Sequence, residues 1–165
     1  MLKLKSVLSM NIPTSIYVFM LSILPTFEAR YSIIYAAINH YSLTKAVLIG
    51  CFSIAFLSFS LPFLVPKIEE ILKYLEKIGV KKLSSLYFYY LRKVRKKSER
   101  QINSWGLIGL IFFVAVPLPG TGIWTGSLAA YVFGMEKRKA IASLLIGGLI
   151  SMAITLSLVL SVKII

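Results

Sequence analysis

Hydrophobic positions in this chain come in long runs separated by short clusters of proline, glycine and charge. Residues 16–24 are apolar and stop at Pro25, and residues 31–38 resume after P-T-F-E-A-R. Each run falls short of the ~20 residues a membrane-spanning helix requires. They predict two half-length helices meeting at a polar break, with Asn39, His40 and Ser42 marking a turn. Residues 43–65 form a full transmembrane candidate, with Lys45 near one end and Pro62 and Pro66 near the other. Beyond it, Ile68, Ile71, Leu72, Leu75 and Ile78 recur at helical spacing, while Glu69, Glu70, Lys73, Glu76 and Lys77 take the opposite face. That alternation predicts an amphipathic helix on the membrane surface, ended by Gly79. The Y-F-Y-Y cluster at 87–90 suits an interfacial aromatic belt, and the basic run 92–100 closes the segment.

Residues 105–133 are apolar for 29 positions. A straight helix of that length would measure ~43 Å against a hydrocarbon core of ~30 Å. Its middle, V-A-V-P-L-P-G-T-G-I-W-T-G-S-L-A-A, is built to stop a helix. Pro117 and Pro119 lack amide donors and clash with the preceding turn, and Gly120, Gly122 and Gly126 follow at once. Both flanks are basic, residues 92–100 before and Lys137, Arg138 and Lys139 after, so charge bias places both on one side. The segment is expected to enter the membrane and return. Residues 140–162 are the last full span and contain the Gly147-Gly148 pair.

Composition agrees with a membrane solvent. The 165 residues are 58% hydrophobic and 15% charged, with no aspartate, whereas a soluble domain carries about a quarter charged residues. The net charge of +13 does not point to nucleic acid, because eleven of the nineteen Lys and Arg lie between Lys67 and Arg100, flanked by apolar spans. Such clustering marks a cytoplasmic loop and suits anionic headgroups. Cys51 is a lone thiol in an apolar run, which leaves neither a disulfide framework nor a metal site. No Walker loop, zinc motif, hydrolase elbow or carboxylate dyad is present, so no enzyme activity, catalytic residue or cofactor is expected.

The halves echo each other. Pro25 is followed by Ala36-Ala37 and then Leu48-Ile49-Gly50; Pro117 is followed by Ala129-Ala130 and then Leu145-Ile146-Gly147. The expected fold is therefore all-α and integral to the membrane, with two inverted repeats in a single membrane domain. Repeat A covers 7–66, with a re-entrant hairpin at 16–40 and a transmembrane helix at 43–65. A basic amphipathic cytoplasmic linker follows at 67–104. Repeat B covers 105–162, with a hairpin at 105–133 and a helix at 140–162. Lys3 and Lys5 then fall outside, against the charge rule. Should the rule govern them, residues 7–40 make one net crossing and the symmetry is lost.

Glu28 and Arg30 are the ionisable pair placed deep in the membrane. A charge at bilayer centre costs on the order of 2.5–3.5 kcal/mol on insertion scales, so such residues persist when paired, hydrated or functional. A spacing of i,i+2 does not join side chains on a helix, so their pairing requires a non-helical break. At the second break, free amides and the half-helix dipole favour anions. Thr121 and Thr125 add hydroxyls, and Trp124 adds an indole donor. The alternative is close packing, since Gly122, Gly126 and Ala130 are spaced as a small-residue contact face.

At P-T-F-E-A-R and at V-P-L-P-G-T-G-I-W-T-G-S-L-A-A the chain resembles the small multidrug export family of prokaryotic membrane proteins, and more distantly the DedA-type (VTT) superfamily. The resemblance implies two re-entrant hairpins facing each other across the cytoplasmic membrane. Glu28 and Arg30 match the charged residues of the family's first hairpin, and residues 117–124 match its second. DedA-type relatives carry arginines beside the second Pro-Gly, where this chain has Thr121 and Trp124.

Together these features imply a multi-pass transporter or lipid translocase that moves an anionic amphiphile, which the DedA-type resemblance implies is a phospholipid or polyprenyl phosphate. The binding set is Glu28, Arg30, Pro117, Pro119, Gly120, Thr121, Gly122, Trp124, Thr125 and Gly126. Two rivals stand beside this reading: a proton- or cation-coupled exporter of small hydrophobic compounds, and a non-transporting membrane organiser. Membrane lipids, protons or a coupling cation, and a second copy of the chain are the expected partners.

Overall fold

The structure is a computed structural model and describes residues 14–25, 27–77, 81–118 and 120–164. The expectations for Lys3, Lys5, Thr26, Gly79 and Pro119 lie outside the described residues. Six helices and no strands are found among those described: α1 Thr14–Ile23, α2 Glu28–Ile38, α3 Leu43–Lys77, α4 Lys81–Ala115, α5 Ile123–Val132 and α6 Lys137–Ile164.

The predicted breaks are present. Residues 24–27 separate α1 from α2, and residues 116–122 separate α4 from α5. The short helices on either side have 10 or 11 residues, and so does the apolar arm of α4 from Gly106 to Ala115. At 1.5 Å per residue each measures ~15 Å, half a hydrocarbon core. Among the described residues two helices are long and apolar enough to cross a membrane, Leu43–Leu72 and Lys137–Val162. Phe52, Phe56, Phe59 and Phe63 form an exposed stripe at helical spacing along the first. Outward-facing phenylalanine is costly in water and ordinary in lipid; the chain is a membrane protein.

One boundary differs from the sequence pattern. The pattern separates a span at 43–65 from an amphipathic helix after Pro66, but α3 runs through Pro62 and Pro66 to Lys77. Each proline removes one amide donor, and helices in lipid absorb this where neighbouring groups cover the freed carbonyls. The pattern also ends the basic linker at 104 and starts a hairpin at 105; α4 bends next to that point, at Gly106 (φ 52°, ψ −119°), and the described residues of the linker are divided between the end of α3 and the first arm of α4.

The two halves end their short helices alike. The Tyr41 amide donates to Ala36 O at 2.9 Å and the Met135 amide to Ala130 O at 2.8 Å. His40 (φ 53°) and Gly134 (φ 63°) are the left-handed residues just before them. This six-to-one bond is the Schellman cap. The following long helix begins two residues later in each half.

The core lies where the halves meet: Ile33, Ile54 and Leu61 from the first half bury against Leu110, Val114, Ile123 and Leu144 from the second. A hydroxyl pair, Ser22 Oγ to Ser53 Oγ at 2.5 Å, joins α1 to α3. The α4–α6 contact is set by Gly147, where a Cβ would fall 2.8 Å from Val114 Cβ and 2.9 Å from Ile111 O. Neither atom can rotate aside. Gly147→Ala is therefore expected to destabilise by about 1–3 kcal/mol through forced separation. Gly148→Ala is expected to cost less, because it meets only the movable tips of Ile123 and Ile54, at 3.0 Å each. Thermal unfolding in detergent micelles ranks the two.

Candidate functional site

The first break brings Glu28 and Arg30 together. Glu28 opens α2 with φ 54°, a left-handed conformation that costs a non-glycine residue about 1–3 kcal/mol. That departure from helix brings two side chains separated by i,i+2 into contact: Arg30 Nη2 lies 3.1 Å from Glu28 Oε2. Both residues are buried, at 6% and 7% exposure. The pairing that the sequence makes conditional on a break is present.

Each partner also reaches across to the second break. Arg30 Nη1 donates to Val116 O at 3.4 Å, and Nη2 also donates to Thr121 O. Glu28 Oε1 accepts the Trp124 amide at 3.3 Å. Trp124 is the second residue of α5, so this amide is one of the helix-start donors that lack an intrahelical acceptor. The sequence alone leaves those amides open to an external anion. In the structure the chain's own carboxylate receives one of them, as an N-cap supplied from 96 positions away.

Gly122 makes the approach feasible. Its backbone is extended (φ 163°, ψ −171°), so conformation does not demand glycine there; space does. A Cβ would lie 2.5 Å from Glu28 Oε2 and 2.6 Å from Oε1, and would overlap Arg30 Nη2. Gly126 is different, since its Cβ would meet Val114 Cγ2 at 2.5 Å and Leu144 Cδ2 at 2.8 Å. It belongs to the packing face rather than to the charged centre.

The remaining predicted residues divide accordingly. Thr121 shapes the break: its hydroxyl lies 2.6 Å from Val116 O and 2.8 Å from Leu118 O, and accepts the Leu118 amide at 3.2 Å. The Thr125 hydroxyl turns back to Gly122 O at 3.3 Å. Pro117 and Gly120 are exposed on the outer limb of the break, and Gly120 has φ 76°. The structure thus gathers Glu28, Arg30, Thr121, Gly122 and Trp124 at one point, and sets Pro117, Gly120, Thr125 and Gly126 around it.

Three contributors escape a reading by residue type. Val116 acts through its carbonyl, which any residue could supply. Ile23, the last residue of α1, accepts the Trp124 indole N–H at 2.9 Å. Tyr90, on the basic arm of α4, has its phenol pushed up by partial burial and further by the charge of Glu28. Trp124→Phe tests the indole bond. Loss of one such bond is expected to cost about 0.5–1.5 kcal/mol, read as faster hydrogen exchange at the amides of Leu24, Phe27 and Glu28.

Comparison with curated proteins finds no match, and neither does comparison with solved structures. Residues 28–154 match the family model described as putative small multi-drug export protein, a stretch that runs from Glu28 through the second break and into α6, and the chain belongs to that family.

Proposed function

We propose that this protein exports small hydrophobic cations across a membrane, with Glu28 as the group that meets the substrate or a coupling proton. Membership of an export family makes transport the class of function. The carrying observation is the cross-capping of the breaks: Glu28 on the start of α5, and Arg30 on the carbonyls of Val116 and Thr121. An anionic substrate would have to displace Glu28 from the Trp124 amide and compete with three acceptors for Arg30. A cation, or a proton, needs only to compete with Arg30 for Glu28. Neutralising Glu28 removes the cap and loosens both breaks together, which is the coupling an alternating transporter requires.

The arrangement around the pair supports two inverted repeats in this reading. The half-length helices, the matching caps and the paired breaks are what two facing re-entrant hairpins would present. A multi-pass protein of a prokaryotic cytoplasmic membrane follows, with the basic arm of α4 against anionic headgroups. A homodimer suits so few helices. One observation favours the lipid-translocase reading: Arg30 Nε is buried without a partner, and it could receive a phosphate oxygen.

The test is a proteoliposome assay comparing a cationic dye, labelled polyprenyl phosphate and labelled phospholipid. Dye movement is expected to follow an imposed proton gradient and to fall about tenfold or more in Glu28→Gln, the loss of at least one charge contact. Movement of polyprenyl phosphate or phospholipid that Arg30→Ala abolishes would instead establish the lipid reading. Inactivity toward all three probes would favour a membrane organiser.

A further inference from the structure

A mainly apolar cavity with a few polar groups in its walls lies away from the Glu28–Arg30 pair. It has about 220 Å³, and its walls are Pro62 and Pro66 of α3, Ser127, Ala130 and Tyr131 of α5, and Lys137 at the start of α6. That volume is below the ~300 Å³ at which drug-sized ligands begin to fit; it suits a headgroup. Three features give it chemistry. The Ser127 hydroxyl, in a residue 1% exposed, has no hydrogen-bond partner, and a buried unpaired hydroxyl is costly unless something completes it. At the start of α6 the Ala140 amide already donates to Glu136 O at 2.9 Å, while the Lys137 amide precedes the first intrahelical bond, and the helix dipole there favours an anion. The sequence E-K-R-K at 136–139 adds a net charge of +2, with Glu136 engaged by Lys139 at 3.6 Å. Lys137 lines the cavity, and its ammonium sits 4.6 Å from the centre of the nearby Phe63 ring.

We propose that this cavity binds a phosphate group, supplied by the headgroup of an anionic membrane lipid. The basic start of a membrane-spanning helix lies at the depth where lipid phosphates reside, and basic pockets between such helices recognise them. The phosphate accepts from Ser127 Oγ and from the Lys137 amide and ammonium. Pro62 lines the same wall, and Pro66 deprives its carbonyl of an amide donor; a headgroup hydroxyl can donate there. Lipid bound at this point ties α3, α5 and α6 together from outside the charged centre, so the site is independent of which substrate is transported.

Native mass spectrometry of the full chain in detergent tests this with phosphatidylglycerol, phosphatidylcholine, diacylglycerol and inorganic phosphate as separate probes. Phosphatidylglycerol is expected to stay bound to the wild type while phosphatidylcholine and diacylglycerol wash off. Ser127→Ala and Lys137→Gln are each expected to weaken that binding about tenfold, the loss of one hydrogen bond to a charged group. Lys45→Gln, at the far end of α3, is expected to leave it unchanged. Equal retention of phosphatidylglycerol by wild type and both variants would overturn the site, and equal retention of phosphatidylglycerol and diacylglycerol would overturn the phosphate. Inorganic phosphate that binds the wild type and is lost in the same two variants, without lipid retention, would overturn the lipid source.

Discussion

Arg30→Ala is expected to destabilise the protein by about 3–5 kcal/mol, the range for breaking a buried ion pair from one side. The substitution leaves Glu28, at 6% exposure, without its counter-charge. It also withdraws the guanidinium from Val116 O and Thr121 O, which it joins to the first break. The Thr121 hydroxyl still reaches Val116 O at 2.6 Å, so the second break keeps its internal shape but loses its tie to α2. Unfolding in mixed detergent micelles reads the loss. The decisive comparison is the double variant Glu28→Gln/Arg30→Ala, in which no charge remains buried. Partners in one network do not act additively, so the double variant is expected to be more stable than Arg30→Ala alone. Arg30→Lys is expected to fall between wild type and Arg30→Ala, because an ammonium retains the charge without the planar fork that serves two carbonyls and a carboxylate. A loss below about 1 kcal/mol in Arg30→Ala would fit a hydrated surface pair and would remove the charged centre from the account.

How much of this centre could be read from the chain depends on which physical signal carried it. Prolines and glycines inside an apolar run leave a helix little choice, and Pro117, Gly120 and Gly122 stand in the break between α4 and α5. Glu28 and Arg30 are conspicuous because lipid makes unpaired charge expensive. Pro62 and Pro66 misled for a related reason. The same residue type that ends one helix is carried inside α3, because whether a freed carbonyl is covered depends on neighbours that sequence order does not reveal. The cap on α5 was illegible in a different way. The free amides were foreseeable, but the choice between a ligand and a carboxylate 96 positions distant is a tertiary fact. The small-residue stripe carried two meanings at once: Gly126 accommodates Val114 and Leu144, and Gly122 accommodates the ion pair. Only contacts separate them.

That separation makes Gly122→Ala the sharpest test of the centre. An extended backbone accepts alanine without strain, so any effect comes from one added methyl group. That group would land among Glu28 Oε1, Glu28 Oε2 and Arg30 Nη2. The carboxylate cannot retreat without leaving the Trp124 amide, and the guanidinium cannot retreat without leaving Thr121 O. Overpacking in a tight core costs about 1–3 kcal/mol, and losing a hydrogen bond to a charged group adds about 1.5–3 kcal/mol. Gly122→Ala is therefore expected to approach the destabilisation of Arg30→Ala and to abolish dye movement. Gly126→Ala meets apolar methyl ends that can shift, so its cost is expected to stay within the overpacking range with transport retained in part. The discriminating measurement is the pairing of Gly122→Ala with Glu28→Gln/Arg30→Ala. Once the charges are gone, the added methyl group is opposed only by neutral side chains, and its further cost is expected to shrink toward that of Gly126→Ala. An undiminished cost in that background would mean that Gly122 serves helix packing and that the ion pair does not depend on it.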